Sequence, residues 1–219
     1  MKKLVKKIAL VLSCIMMMGL LGGCGEKFDA SAYLKALLDN SYKNDATAIV
    51  EMEIATAEEA AALYEEGLQG ELDMMLTTAG ITEDQIPGIR DIMADMLAGA
   101  KYTVGEAVEQ EDGSFVVTVT YETMNVFGPT NEKYLADVET MVTEWTEAML
   151  AGEEAASEEE MTAKVYEMFG TTLQEVLANP TYAEPQETTV RIEIVDNMYQ
   201  PNEEDLYNLE YLLYDSDAE

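Results

Sequence analysis

Histidine is missing altogether from this chain of 219 residues, which has two cysteines, one tryptophan, and 12 lysines and arginines against 44 aspartates and glutamates. Each shortage closes off a chemistry. Without histidine there is no Ser-His or Cys-His relay, no imidazole base and no His-containing metal site. A formal charge of −32 leaves little to displace the counterions of a phosphate backbone, which argues against nucleic acid as a partner. The hydrophobic fraction is nevertheless 48%, ordinary for a globular domain and too high for a disordered acidic tail.

What is present is informative first at the N-terminus. Lys2, Lys3, Lys6 and Lys7 precede an apolar run from Ile8 to Leu21. As a helix that run spans roughly 21 Å at ~1.5 Å per residue, short of the ~30 Å of bilayer hydrocarbon. It therefore reads as a secretory signal and not as a transmembrane helix. The closing Leu21-Gly22-Gly23-Cys24 resembles the lipobox of bacterial lipoproteins. That resemblance implies a signal peptide over residues 1–23, cleavage before Cys24 and a diacylglyceryl thioether on the Cys24 sulfur. The plainer alternatives are an ordinary signal with an incidental cysteine, or an uncleaved N-terminal anchor.

Two consequences follow for the mature chain. The signal takes four lysines and no acids with it, so eight cations face 44 acids and the charge becomes −36. Cys14 is lost and Cys24 acylated, so no thiol remains for a disulfide, a CxxC pair or a zinc site. Residues 24–27 form the tether and 28–219 one domain. Three or four residues reach roughly 10–14 Å, which holds the domain close to the membrane's outer face and favours a partner there. Two acyl chains give firm anchoring.

Along the domain the apolar period changes with position. Tyr33, Leu34, Leu37, Leu38 and Tyr42 recur at helical spacing after Asp29 and Ser31, both N-cap candidates. Thr56 and Glu59 form a capping box for a helix that runs to Gly80. Ile86, Ile89, Met93, Met96 and Leu97 predict another within Thr82–Ala98, starting near Asp84 with Pro87 in its first turn. From Tyr102 the period becomes two: Tyr102, Val104, Glu106 and Val108 share one face, and after Asp112-Gly113 comes Phe115–Tyr121. Asp-Gly between two β-rich runs predicts a hairpin near 101–124.

After Pro129-Thr130-Asn131 a long amphipathic helix carries Leu135, Val138, Met141, Val142, Trp145 and Met149, ending at Gly152. Ser157 and Glu160 box the next, which runs to Asn179-Pro180. A strand is predicted near 188–195, then a helix capped at Pro201-Asn202 with Leu206, Leu209, Leu212 and Leu213. The segments 57–106 and 132–186 share the order helix, helix, x-Tyr, strand, with Tyr102 and Tyr182 in matching places. Either the chain carries a loose duplication, or common parts recur. The expected architecture is helix-rich α+β, a single domain with a small antiparallel sheet.

The lipobox, the start Phe28-Asp29-Ala30-Ser31, the segments Ser41–Asp45 and Ala60–Leu68, Lys101-Tyr102 and Thr181-Tyr182 with Pro185 together resemble uncharacterised cell-surface lipoproteins of Gram-positive anaerobes. The resemblance covers most of the mature chain and implies a lipid-anchored extracytoplasmic domain of unknown function. It carries no active-site motif.

The chemistry candidates are few. Glu58-Glu59, Glu65-Glu66, Glu153-Glu154, Glu158–Glu160 and Glu203–Asp205 are acid runs, but most fall in predicted first turns, where carboxylates oppose the helix dipole. None has EF-hand spacing, and Asp196–Pro201 lacks the central glycine. Trp145 lies in register with an apolar face, so core packing is the better reading than a sugar platform. Met93 and Met96 read as core filling rather than soft-metal ligands. With 44 acids any carboxylate spacing occurs, so no glycosidase-type pair stands out. The expectation is a non-enzymatic module without metal or cofactor that binds a protein or small ligand at the membrane surface, its oligomeric state open. A carboxylate-dependent wall hydrolase is the alternative.

Overall fold

The computed structural model describes residues 28–152 and 156–215. The signal segment, the lipobox, Cys24 and the tether at 24–27 lie outside the described residues, as do Glu153 and Glu154. Among the described residues no helix is long and apolar enough to cross a membrane.

The Asp29 carboxylate accepts from the Ala32 N–H at 2.9 Å and starts α1, Ala30–Lys43. This helix is central: Tyr33, Leu34, Leu37 and Leu38 are all essentially inaccessible to solvent. Burying one such leucine contributes about 1.5–3 kcal/mol. A short α2, Thr47–Glu51, was not legible in the apolar pattern. The expected capping box is formed in full at the start of α3, Ala57–Ala79, and Gly80 ends it in the left-handed region at φ 70°.

The helix expected from near Asp84 is broken in two. A 3-10 turn covers Glu83–Gln85, and α4 starts only at Ile89, running to Ala98. Ile86, the residue before Pro87, is extended at φ −124° and ψ 93°, because the proline ring disfavours the helical region for its predecessor. Gly88 follows at φ 76°. The proline ends one turn instead of opening the next helix.

The hairpin is formed by β1, Lys101–Glu109, and β2, Phe115–Glu122. Gly113 sits at φ 83° in its turn, and the Asp112 carboxylate accepts from the Ser114 N–H. One detail departs from simple alternation. The register slips between Val104 and Ala107, so Gly105 and Glu106 together oppose Thr118. This bulge turns Ala107 inward and leaves Val108 exposed. A β-carbon at Gly105 would lie 3.3 Å from the Thr118 carbonyl oxygen, which accounts for glycine there.

Two-residue strands β3, Met124–Asn125, and β4, Thr181–Tyr182, form a separate ladder. Between them lie α5, Phe127–Leu150, and α6, Glu158–Ala178. The sequence placed the start of α5 after Pro129, but it begins at Phe127, and Pro129 falls in the first turn, where its missing N–H costs nothing. The cause is distant: both carboxylate oxygens of Asp215 accept from the N–H groups of Val126, Phe127 and Gly128 at 2.7–2.8 Å. No local pattern announces a cap supplied from the far end of the chain.

The predicted third strand is β5, Gln186–Val195, and it turns through Asp196 and Asn197, both left-handed, into β6, Met198–Pro201. That pair of positive-φ residues is a two-residue hairpin turn. Asn202 then caps α7, Glu203–Leu213, accepting from the Asp205 N–H. The main sheet has the order β1-β2-β5-β6, antiparallel throughout. Its inner face (Val117, Val119, Tyr121, Val190, Ile192) is buried under α1 and α7, with α3 and α4 packed behind α1. Arg191 forks onto Asp205 at 2.7 and 3.0 Å and ties α7 to the sheet. The α+β expectation holds. The supposed halves keep their common order of elements, but β1 is an edge strand and β5 an interior one, and Tyr182 belongs to the separate ladder.

Candidate functional site

Four places carry chemistry that the core does not require: the acidic helix ends, a lysine–tyrosine cleft, a buried carboxyl pair, and the α5–α6 hairpin.

The acid runs within the described residues behave as caps. Glu58 and Glu59, Glu158–Glu160, and Glu203–Asp205 occupy the first turns of α3, α6 and α7. Glu59 and Glu160 accept from the N–H and hydroxyl of Thr56 and Ser157, which holds both carboxyls below their ordinary value. Glu65 instead pairs with Arg90. A cleft of about 940 Å³ lies beside Glu158–Glu160, Asp84 and Pro87. Among the described residues no three carboxylates converge as a cation cage would require.

Lys43, Lys101 and Tyr102 line a smaller cleft with Tyr121, Glu122 and Pro185. Here the fold does bring together the two tyrosine motifs: the Lys101 ammonium lies 3.5 Å over the Tyr182 ring, and the Tyr182 hydroxyl donates to the Gly99 carbonyl at 2.8 Å. The cations are already engaged, however. Lys43 donates to the Ala100 carbonyl at 3.0 Å, and Lys101 pairs with Glu122 at 3.4 Å. The cleft is a structural joint.

Inside the body, the carboxyls of Glu71 of α3 and Glu210 of α7 lie within interaction distance of each other, and Glu71 Oε1 is buried with no hydrogen-bond partner among the described residues. Glu210 is buried, and its carboxyl is held well above the usual carboxylate range by burial, then by the charge of Glu71. Burial also pushes Glu71 up to about 7. Tyr42 and Tyr214 lie near them, their hydroxyls buried without a hydrogen-bond partner among the described residues and their pKa values raised by burial. Composition alone did not single out this pair. A local signal existed: Glu71 and Glu210 interrupt the runs Leu68–Leu72 and Leu206–Leu213 on their buried sides.

The hairpin is the element least absorbed by the fold. α5 packs chiefly on α6 and meets the body only at its first turn, where Phe127 touches the core and Asp215 holds the N–H groups, while α6 reaches the body through Gly170, Thr172 and Leu173 against α4 and the 3-10 turn. A β-carbon at Gly170 would come within 2.7 Å of Ile86, so glycine allows this approach. Tyr134, Met141, Trp145 and Met168 fill the seam between the helices, with Tyr134 edge-on to Phe169 at 5.6 Å. Trp145 is thus half-buried in a two-helix seam lined by polar groups, and does not belong to the main core. Met93 and Met96 do belong to it.

The apolar stripe of α5 is wider than α6 can cover. Leu135, Val142 and Met149 recur every seven residues and remain 57%, 52% and 50% exposed, with Leu150 beside them at 85%. Glu132 and Glu139 stand three or four positions from Leu135 and Val142, so they flank the stripe on the same side of the helix. Over both helices ten carboxylates face two lysines, and Lys133 and Lys164 are already paired with Asp137, Glu175 and Glu167. The seven-residue spacing was in the sequence, but its exposure was not.

No family model and no curated protein matches the chain. Among solved structures, ycdA of Bacillus subtilis subsp. subtilis str. 168, described as a candidate lipoprotein, superposes with a TM-score of 0.57 at 16% identity. The match covers 85% of this chain and 56% of that one, so this chain spans a little over half the length of its neighbour. At that identity the shared property is the fold.

Proposed function

We propose that this protein is a lipid-anchored extracytoplasmic binding module that engages a protein partner through the α5–α6 hairpin and performs no catalysis. The observation that carries the reading is the exposed stripe of Leu135, Val142 and Met149. Heptad-spaced apolar side chains left in water are the kind of surface a partner helix covers. The anchor is supported by Leu21-Gly22-Gly23-Cys24 and by the description of the neighbour from Bacillus subtilis as a candidate lipoprotein.

The hydrolase alternative has weaker support. Glu71 and Glu210 face each other directly inside the body, Glu210 buried, whereas a glycosidase keeps its carboxyls about 5 Å or more apart around a sugar.

A photo-crosslinker placed at Val142, in cells, with the same label at Thr189 on the outer face of the sheet as control, tests the reading. An adduct specific to Val142 is expected. Equal adducts from both positions, or release of soluble fragments from purified peptidoglycan by the protein, would sink it. For the anchor, Cys24→Ala should shift the protein from the membrane fraction to unprocessed precursor; continued processing and lipid labelling of that variant would refute the lipid attachment.

A further inference from the structure

We infer that the partner of the hairpin is a cationic amphipathic helix, which lays its apolar side along Leu135, Val142 and Met149 and its lysines or arginines against Glu132 and Glu139. This rests on the hairpin being the binding face and adds the chemistry of what it binds. Length and spacing specify a helix. α5 has 24 residues, roughly 36 Å at ~1.5 Å per residue, and a seven-residue apolar repeat meets a second helix along its whole length. An extended peptide would match a period of two and seek an open sheet edge instead.

Charge decides among the occupants. Glu132 and Glu139 make no ion pair among the described residues, and the carboxylate excess of the hairpin is the local form of the charge of −36 carried by the mature chain. A second copy would bring the same carboxylates against themselves, and an anionic bilayer surface would repel them. A helix with basic residues flanking its apolar stripe would pair with them and desolvate the leucine, valine and methionine at the same time. Lys133 and Lys164 do not compete, being held by neighbouring acids.

The chain carries its own reporter. Trp145 is the single tryptophan and stands three positions after Val142 and four before Met149, one turn from both. The experiment uses the full-length protein in phosphatidylcholine nanodiscs and three labelled peptides of about three heptads each. The first is a leucine-striped helix flanked by lysine, the second the same stripe flanked by glutamate, the third the lysine composition scrambled so that no stripe exists. Fluorescence anisotropy and Trp145 emission follow binding, and sedimentation follows self-association.

The expected result is saturable binding of the striped lysine peptide with a blue shift of Trp145, weakening as salt rises. Affinity for the glutamate and scrambled peptides should be lower by about tenfold or more. L135S/V142S/M149S should remove the binding and the blue shift. Preference for the glutamate peptide, lost in that triple variant, would overturn the partner's charge while leaving the hairpin as the binding face. Equal binding of the scrambled lysine peptide, unchanged in the triple variant, would overturn both readings, because diffuse attraction would then explain everything. Dimerisation abolished by the triple variant would replace the foreign helix with a second copy. A blue shift with anionic vesicles but not with the striped lysine peptide would replace it with lipid.

Discussion

α1 and α5 are both amphipathic helices, and they have opposite fates. α1 buries nine of its 14 residues, whereas α5 buries two of 24, Thr130 and Met141. The difference lies in what surrounds them. α1 meets the sheet on one side and α3 and α4 on the other, so every turn finds apolar neighbours. α5 has one substantial neighbour, α6, and keeps half of its stripe in water. An apolar period shows that a helix has a face to cover, and the fold decides how much of that face it covers itself. The body accordingly carries the burial that stabilises the fold, and the hairpin keeps apolar surface in water.

That contrast can be broken or sharpened by substitution, and the largest expected effect lies in α1. Leu34→Ala should lose about 2–5 kcal/mol through lost burial and the cavity left behind, read as a shift in the urea midpoint. A loss below that range would mean the body packs more loosely than its burial indicates.

Next comes pH. In the folded protein Glu71 is raised to about 7 from an ordinary 4.5, and burial holds Glu210 well above the same ordinary value. Between those values the folded state holds protons that the unfolded state has released, so stability falls as pH rises. The contribution of Glu71 is complete below about pH 4.5 and lost through about pH 7, a change of order 2–3 kcal/mol, and Glu210 acts with the same sign. Chemical denaturation across that range checks it. E71Q and E210Q should each flatten the profile, since an amide fills the site without ionising. Tyr42, Tyr207 and Tyr214, which face the pair, are themselves raised and stay neutral throughout. A profile rising from pH 5 to 8 would show that the two carboxyls do not share a buried proton.

At the joint between the two regions the effects are smaller. Gly170→Val should cost about 1–3 kcal/mol through overpacking against Ile86, and it should loosen α6 from the body without unfolding α1. Asp215→Ala removes the acceptor of three N–H groups and should cost about 1–2 kcal/mol; hydrogen exchange should quicken at Val126, Phe127 and Gly128 more than in the sheet. If the two variants expose α1 and α5 amides alike, the regions are not separable. The smallest effect belongs to the stripe itself. Val142→Ser, on an exposed side chain, should change stability by no more than about 0.5 kcal/mol, while abolishing any binding through the hairpin.

The same contrast explains what could be read in advance. Thr56 with Glu59, Ser157 with Glu160 and Asn202 with Asp205 are local cap pairs, and all three formed. Asp112-Gly113 likewise announced its hairpin. At Ile86-Pro87-Gly88 the helix breaks because the restriction that proline places on its predecessor outweighs a well-spaced apolar face. The bulge at Gly105 and Glu106 moved Val108 outward, because one extra residue reverses every later side chain. The fourth sheet strand follows Asp196-Asn197, a left-handed turn pair that no apolar alternation announces.

For function the line falls in the same place. The sequence alone determined that histidine chemistry is closed, that the charge is strongly negative and that Cys24 stands in a lipobox-like setting, because composition and short motifs act through residues adjacent in the chain. It also determined most helix starts, since a cap and its acceptor lie three residues apart. Only the tertiary structure decided that Glu71 meets Glu210, that Asp215 starts α5, and that Leu135, Val142 and Met149 stay in water. Those outcomes depend on which elements are neighbours across long separations, and no local period carries that information.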